Sequence, residues 1–183
     1  MDAIVNVSPD WGIGYDDSLL IAISADLRRF RALTQGKTVI LGRKTLETFP
    51  GGKPLKNRSN LILSRDPDFT VEGAEVLHSL PELLDRIRDL PRDQLCVIGG
   101  AQIYELLLPY CHRVLLTRTE LQAPANRFFP NLDTLPNWQE TGRSPVYSEN
   151  GVEFCYIDYV NRSPLEILTS SPVGAGFSPP ACD

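Results

Sequence analysis

Residues 38–45 have the sequence Thr-Val-Ile-Leu-Gly-Arg-Lys-Thr, an apolar run that ends at a glycine followed by two cations and a hydroxyl. The apolar run predicts a buried strand over residues 38–41, and residues 43–48 predict a short helix. Free N–H groups at a helix N-terminus attract phosphate, whereas cations there oppose the helix dipole unless an anion binds. Arg43 and Lys44 are therefore either anion-binding residues or solvated surface charges, and this stretch alone leaves both open.

The same sequence of apolar run and loop occurs twice more. Residues 97–104 are Val-Ile-Gly-Gly-Ala-Gln-Ile-Tyr, and residues 61–65 are Leu-Ile-Leu-Ser-Arg. Paired glycines let a pyrophosphate approach the backbone closely, although Gly-Gly is also common in plain turns and matches neither the G-x-G-x-x-G fingerprint nor a P-loop. A basic residue after a strand suits the 2′-phosphate of NADP rather than NAD. Arg65 at the last of these junctions therefore favours NADP over NAD, and Asp66, which follows it, weakens that inference.

Around these segments, short apolar runs alternate with helical patterns. Strands separated by helices favour an α/β fold with a largely parallel sheet. The last two strands have no helix between them, so we expect them to pair antiparallel. Strands are predicted at residues 3–7, 38–41, 60–63, 94–98, 114–119 and 152–160, and helices at residues 24–34, with Ser24 as N-cap, at 79–90, which a capping box opens, and at 102–108.

The composition excludes several classes of protein. The 183 residues carry a net charge of −5 and a pI of about 5.1, which argues against a nucleic-acid-binding protein. The longest apolar run, residues 19–23, cannot span a bilayer, and the N-terminus lacks the features of a signal peptide. With four cysteines, two histidines and no C-x-x-C pair, we expect no metal site, no membrane partner and a cytoplasmic protein with reduced thiols.

The domain organisation follows from a change in composition after residue 161. Pro, Gly and Ser supply ten of the 22 residues from 162 to 183. Such a segment, with little apolar periodicity, is typical of a flexible extension. We therefore predict one domain over residues 1–161 and a flexible C-terminal tail over residues 162–183.

Asp26 lies in an unusual place for an acid, because residues 19–25 before it are mostly apolar and Leu27 and Phe30 follow it. A partly desolvated carboxylate suits acid–base chemistry. An acid in the first turn of a helix is also common, because the helix dipole favours it. The pattern around Asp26 leaves both interpretations open.

Taken together, these residues resemble dihydrofolate reductase of the bacterial type. The resemblance implies a three-layer α/β fold with an eight-stranded, mostly parallel mixed sheet flanked by helices. It also implies NADPH-dependent reduction of 7,8-dihydrofolate to tetrahydrofolate, in a monomer that binds antifolates such as methotrexate or trimethoprim. The matching segments follow the family order along residues 1 to about 160, and they are Ile13-Gly14, residues 25–27 with Phe30 and Thr34, residues 39–45, Pro54-Leu55 with Arg58, residues 60–64, residues 97–100 with 103–105, Leu116-Thr117 and Phe129-Pro130.

The resemblance assigns roles at the substrate. Asp26 would hydrogen-bond to the pterin 2-amino group and N3, and its charge would favour protonation of N5, with water as the immediate donor. Thr117 would hydrogen-bond to Asp26. Arg58 would pair with the α-carboxylate of the glutamate tail, because a guanidinium fork matches a carboxylate. The residues that would line the pterin and benzoyl pocket are Ile4, Val5, Leu27, Phe30, Phe49, Leu55 and Ile98.

The resemblance also assigns a cofactor site. Gly99 and Gly100 would pass under the cofactor and would be joined by a cis peptide, as in the family. Residues 8–23 would form a mobile loop that closes over the nicotinamide and excludes water. The residues that would contact NADPH are Asn6, Ile13, Gly14, Gly42, Arg43, Lys44, Thr45, Ser64, Arg65, Gly99, Gly100, Ala101, Gln102, Ile103 and Tyr104.

Three features depart from the family pattern and leave alternatives. Gln102 stands at a position that is often basic, so one contact to the 2′-phosphate is lost and Arg65 is the candidate replacement. The family usually has Leu-Pro-Trp where this chain has Leu19-Leu20-Ile21, so the Trp that helps to hold a water near the pterin is missing. The loop acid before Phe129 aligns near Asn126. A riboflavin-pathway pyrimidine reductase of the same fold is one alternative, against which Asp26 and Arg58 argue. A non-catalytic folate-binding domain is the other, supported only by the missing Trp.

Overall fold

The computed structural model describes residues 1–16 and 18–168. Within that part of the chain there are twelve strands and four α-helices, joined by short 3-10 turns. The strands are β1 (Asp2–Val7), β2 (Gly12–Tyr15), β3 (Ser18–Leu19), β4 (Thr38–Gly42), β5 (Ser59–Leu63), β6 (Glu75–Leu77), β7 (Leu95–Gly99), β8 (Arg113–Thr119), β9 (Arg127–Phe128), β10 (Trp138–Arg143), β11 (Tyr147–Glu149) and β12 (Val152–Asn161). The helices are α1 (Ser24–Thr34), α2 (Arg43–Glu47), α3 (Leu80–Ile87) and α4 (Ala101–Leu107).

The main sheet has the strand order β10-β12-β8-β1-β7-β4-β5-β6, with β11 paired to β12. The strands from β8 to β6 along this order are all parallel, whereas β12 runs antiparallel to β8, β10 and β11. The antiparallel pairing of the last two long strands was expected, because no helix connects them. The predicted class, a mostly parallel α/β sheet flanked by helices, is confirmed.

Both faces of the central strands are buried, which explains their continuous apolar sequences. Successive side chains of a strand point to opposite faces, so each strand serves two cores. Ile40 on β4 joins the core that α3 and α4 cover, whereas Val39 and Leu41 join the core that α1 covers. The sheet is therefore the middle layer of three, as the resemblance implied.

Helix α1 spans the predicted residues, but its N-terminus is capped differently. We expected Ser24 as the N-cap, and this expectation is wrong, because Ser24 is already helical and Ile23 is the N-cap, without a side-chain hydrogen bond. The carboxylate of Glu149, at the end of β11, accepts hydrogen bonds from the Ser24 and Ala25 N–H groups at 2.7 and 3.0 Å. The orphan N–H groups of α1 are thus satisfied from a distant part of the chain.

Residues just beyond the predicted domain boundary lie against the domain. Ile167 is buried in the core, and its carbonyl accepts a hydrogen bond from Arg92 at 3.2 Å. The Leu165 N–H donates to the Pro109 carbonyl at 2.8 Å. Residues 169–183, most of the predicted tail, lie outside the described residues, so the division at residue 161 stays a prediction.

Membrane-spanning helices, metal sites and cysteines can each be sought in the described residues. In the described ranges, 1–16 and 18–168, no helix is long and apolar enough to cross a membrane. Over the same ranges, no group of three or more His, Cys, Asp or Glu side chains is placed to hold a metal ion. Cys96, Cys111 and Cys155 are buried and free, and burial raises the pKa of the Cys111 thiol to about 12.

Candidate active site

The carboxyl ends of the parallel strands meet at one edge of the sheet, where open α/β sheets bind ligands. A cavity of about 900 Å³ opens there between the ends of β1, β4, β5 and β7 and the strand β2, which carries Ile13. All fifteen residues predicted to contact the cofactor line this cavity, together with Val5 and Ile98 from the predicted substrate set. Further lining residues that the sequence did not indicate are Asp16, Thr48, Leu63, Asp66, His78, Ser79, Leu80, Leu106 and Arg127.

Glycines keep the floor of this cavity open to a ligand. A Cβ atom added to Gly100 would lie 3.0 Å from the Thr45 Oγ1, and one added to Gly42 would lie 3.0 Å from the Ile103 Cγ1. Gly99 has a φ of +133°, which side chains rarely allow, and the Gly99–Gly100 peptide is cis, as the resemblance implied. Glycine is therefore the residue that fits this floor, because a side chain at these positions would crowd its neighbours or strain the backbone.

Cations surround the mouth of the cavity. The Arg43 guanidinium pairs with Asp66 at 3.0 Å, and Arg65 donates to the Gln102 side chain at 3.4 Å. These groups are exposed, and exposed ion pairs are weak, so a phosphate can replace the present partners. A guanidinium binds phosphate through two parallel hydrogen bonds. The residues present therefore fit NADPH, because the glycines would leave room for its pyrophosphate and the cations would bind its 2′-phosphate.

Tyr104 joins helix α4 to the central strand. Its hydroxyl donates a hydrogen bond to the Ile4 carbonyl at 2.6 Å, and its ring contacts the edge of the Phe129 ring, with centroids 4.8 Å apart. Burial raises the pKa of Tyr104, so the phenol stays neutral and donates. Tyr104 thus holds β1 in place directly beside the cavity.

Asp26 projects from the first turn of α1 toward the end of β1 and β8. The Thr117 hydroxyl donates to its Oδ1 at 2.5 Å, as the resemblance implied. The Asn6 amide donates to its Oδ2 at 2.9 Å, a contact that the sequence did not indicate. Asn6 and Thr117 are register partners on neighbouring strands, so both side chains face the same way. The sheet therefore holds both oxygens of this carboxylate.

The apolar side chains predicted to line the substrate pocket are brought together on the α1 side of the sheet. Ile4 and Ile98 belong to one buried cluster, against which Phe30, Phe49 and Leu55 pack. Leu27 lies outside that cluster and is 53% exposed, whereas Val5 points into the core on the opposite face.

Arg58 is held at the C-terminal end of α1. Its guanidinium donates to the Thr34 hydroxyl at 3.1 Å, to the Lys56 carbonyl at 2.7 Å and to the Arg31 carbonyl at 3.3 Å. Burial, together with the nearby Arg31 charge, lowers the pKa of Arg58, although a guanidinium remains charged at neutral pH. These three hydrogen bonds hold the Arg58 guanidinium in a position where it can pair with a carboxylate.

Residues 8–23 were predicted to close over the cofactor. Within this segment, β2 and β3 form a small three-stranded sheet with β9, separate from the main sheet. The Asn126 side chain accepts from the Asp16 N–H and donates to the Asp16 carboxylate, both at 2.8 Å. Trp11, at a φ of +66°, is buried in a stack on Phe129 with the Arg118 guanidinium 4.8 Å from its ring. Trp11 therefore belongs to the core rather than to the cavity wall.

A fixed carboxylate bonded to Asn6, which itself lines a cleft that suits a phosphorylated dinucleotide, is the arrangement of a nicotinamide-dependent reductase. The sequence model of the family described as dihydrofolate reductase matches residues 1–161. The chain belongs to the dihydrofolate reductase family.

Individual relatives agree with this assignment. Dihydrofolate reductase type 3 of Salmonella typhimurium is 39% identical over 132 residues, which cover 72% of this chain and 78% of that protein. Dihydrofolate reductase of Bacillus subtilis (strain 168) is 39% identical over 155 residues, covering 82% and 89%. Among solved structures, dihydrofolate reductase from Enterococcus faecalis complexed with NADP(H) and RAB-propyl has a TM-score of 0.78 at 28% identity, covering 87% of this chain and 95% of that one.

The predicted activity is thereby confirmed. The protein is an oxidoreductase that reduces 7,8-dihydrofolate to tetrahydrofolate, and its cofactor is NADPH. The two alternatives, a pyrimidine reductase of the riboflavin pathway and a non-catalytic folate-binding domain, are set aside.

Proposed function

We propose that Asp26 is the residue that binds the pterin ring and makes its reduction possible. The observation that supports this role is the position of the carboxylate, fixed by the sheet at both oxygens beside the cavity. An acceptor in this position matches the two adjacent donors of a pterin, the ring N3–H and the 2-amino group. The residues that line the cavity would hold NADPH along the carboxyl edge of the sheet, where it would supply the hydride for pterin C6.

The same carboxylate helps the proton reach N5. Its negative charge stabilises the protonated N5 across the pterin ring, and a water molecule delivers the proton. The Thr117 hydroxyl donates to the Oδ1 and so orients the carboxylate. Thr117 itself is 1% exposed, so its hydroxyl depends on this carboxylate for its hydrogen bond.

The remainder of the substrate contacts the apolar side chains and Arg58. The pterin and benzoyl rings pack on the predicted residues Ile4, Phe30, Phe49, Leu55 and Ile98, with the exposed Leu27 at the edge. Val5, the remaining predicted residue, has its side chain in the opposite core, so its backbone would contact the ligand at the cavity wall. The Arg58 guanidinium pairs with the α-carboxylate of the glutamate tail, and its three protein contacts hold it in position. The cofactor residues are those that line the cavity, with Arg43, Lys44, Thr45, Ser64 and Arg65 at the phosphates.

The first experiment follows the loss of NADPH absorbance with the purified protein, with and without 7,8-dihydrofolate. We expect oxidation that depends on dihydrofolate and that methotrexate blocks. The variant Asp26→Asn should bind NADPH normally but reduce dihydrofolate slowly at neutral pH. An Asp26→Asn variant with normal activity at neutral pH would contradict the role of Asp26.

We further propose that the protein is a cytoplasmic monomer that also binds methotrexate and trimethoprim. The buried, free cysteines support a reducing compartment. Antifolates carry the paired donors of a pterin, so they should compete for Asp26. Size-exclusion chromatography with light scattering measures the mass in solution, and a mass of twice 20.4 kDa would contradict the monomer.

A further inference from the structure

The side chain of Asn6 makes a contact that its place at the cofactor cavity does not require. Its amide nitrogen donates to the Asp26 Oδ2 at 2.9 Å, from the strand next to the one that carries Thr117. The Thr117 hydroxyl holds the other oxygen of the same carboxylate. Two neighbouring strands thus grip one carboxylate from the same side.

A third residue fixes the direction of the Asn6 amide. The Thr119 hydroxyl donates to the Asn6 Oδ1 at 2.8 Å, and Thr119 is fully buried. If the amide were turned over, its oxygen would face the Asp26 carboxylate and two acceptors would repel each other. The chain of hydrogen bonds from Thr119 through Asn6 to Asp26 therefore has one favourable direction.

We propose that Asn6, oriented by Thr119, is a positioning residue that fixes the plane of the Asp26 carboxylate for the pterin. An ionised carboxylate offers about four lone-pair directions, two on each oxygen. Asn6 and Thr117 each use one, on different oxygens. One direction on each oxygen stays open, which is the number that a pterin N3–H and a 2-amino group need.

The neutrality of the amide suits this task. A Lys or Arg in its place would offset the negative charge that favours protonation at N5. Over residues 1–16 and 18–168, no Lys or Arg hydrogen-bonds or pairs with Asp26. Asn6 therefore holds the carboxylate while leaving its charge for the substrate.

The inference rests on the proposed role of Asp26 and is tested by measuring hydride transfer against pH in stopped flow. In Asn6→Ala, we expect the plateau rate at low pH to fall about tenfold, the scale of a hydrogen bond to a charged group. Without the donor, more negative charge faces the pterin, so N5 keeps its proton to higher pH. The midpoint of the profile should therefore rise by about half a pH unit.

The Thr119 variants separate positioning from a merely structural role. Thr119→Val keeps the shape and removes the hydroxyl, so it should shift the midpoint in the same direction, whereas Thr119→Ser should restore the wild-type profile. The double variant Asn6→Ala with Thr119→Val should be no slower than Asn6→Ala alone, because Thr119 acts through Asn6. Additive losses in the double variant would overturn the inference.

Asp26→Asn, measured in parallel, distinguishes the two possible failures. If Asp26→Asn keeps its activity at neutral pH, the role of Asp26 fails and the inference fails with it. If Asp26→Asn loses its activity while Asn6→Ala keeps both rate and midpoint, only the role of Asn6 is refuted. Should Asn6→Ala prove unfolded by circular dichroism, the two Thr119 variants decide the question, and an unchanged midpoint in Thr119→Val refutes it.

Discussion

Replacing Asp26 with Asn tests the chemistry of the site with little change of shape. The new amide has one oxygen and one NH₂ group, whereas the carboxylate accepts from Thr117 on one oxygen and from Asn6 on the other. The amide oxygen can accept from Asn6, and the NH₂ group then faces the Thr117 hydroxyl, which can turn to accept from it but loses the acceptor of its own proton. The Asp26→Asn variant therefore leaves one buried hydroxyl donor without a partner.

The expected changes in Tm and in the hydride-transfer rate can be estimated from this geometry. An unsatisfied buried donor costs about 1–3 kcal/mol, and the low end applies here because Asp26 is only partly buried and water can reach it. At about 2–4 °C per kcal/mol for a protein of this size, Tm should fall by about 2–4 °C. The hydride-transfer rate at neutral pH should fall about 10²-fold or more, the scale of a positioned acid–base group. The rate loss should shrink at low pH, where the substrate brings its own proton.

The exchange of the two partners is the matched control. The double variant Asp26→Asn with Asn6→Asp again places an amide against a carboxylate, so the amide oxygen can again accept from the Thr117 hydroxyl and Tm should recover. The charge then lies on β1 instead of α1, and the neutral-pH rate should stay low. Differential scanning calorimetry and single-turnover stopped flow measure the two quantities. A double variant that recovers the rate as well as Tm would refute the reasoning, because the position of the charge would then not matter.

Three further predictions concern other contacts. Arg58→Ala should weaken dihydrofolate binding by roughly 2–4 kcal/mol, the scale of a charge-assisted bidentate contact, and leave pterins without a glutamate tail nearly unaffected; equal losses in a fluorescence titration would contradict its role. Arg113→Met should lower the free energy of unfolding by about 2 kcal/mol, because the Asp2 carboxylate, whose side chain is 5% exposed, loses the partner that it binds at 2.7 Å. An unchanged denaturation midpoint would contradict this. Burial alone would raise the pKa of Glu149, but hydrogen bonds from the Ser24 and Ala25 N–H groups lower it overall, so its stabilising effect is present above pH of about 4.3 and lost as the pH falls further. The Tm values of the wild type and Glu149→Ala should therefore differ at pH 7 and converge near pH of about 3, and a constant gap would show that the carboxylate does not cap α1.

The long strands and helices that were predicted have an apolar pattern that is clear from their own residues alone. The continuous apolar runs of β4 and β7 end in glycine, and α1 has the predicted bounds of residues 24–34. The shorter strands β6 and β11 were not predicted, because three residues carry too little periodicity and each exists through its neighbour in the sheet. The same limit hid the cap of α1, since Glu149 lies more than 120 residues from the helix that it caps.

Some residues of the candidate site could be predicted from the sequence and others could not. The cofactor residues could be predicted because strand ends in a parallel sheet meet at one edge, so a local pattern implies a shared location. His78 follows β6 at that edge and was missed only because β6 was missed. The contact between Asn6 and Asp26 depends on the register of β1 with β8 and on the position of α1 against these strands. The residues around Asn6 do not indicate either of these.

The last strand of the domain also decides when the protein can begin to work during its synthesis. β12 lies inside the sheet, between β10 and β8, and β8 carries the Thr117 that holds Asp26. Until β12 has emerged from the ribosome, β8 is an open edge and Glu149 has no hairpin that could carry it to α1. Pairings this distant in sequence form slowly, because the loop between the partners must close first. The folate site of the nascent chain is therefore completed only after β12 has paired with β8.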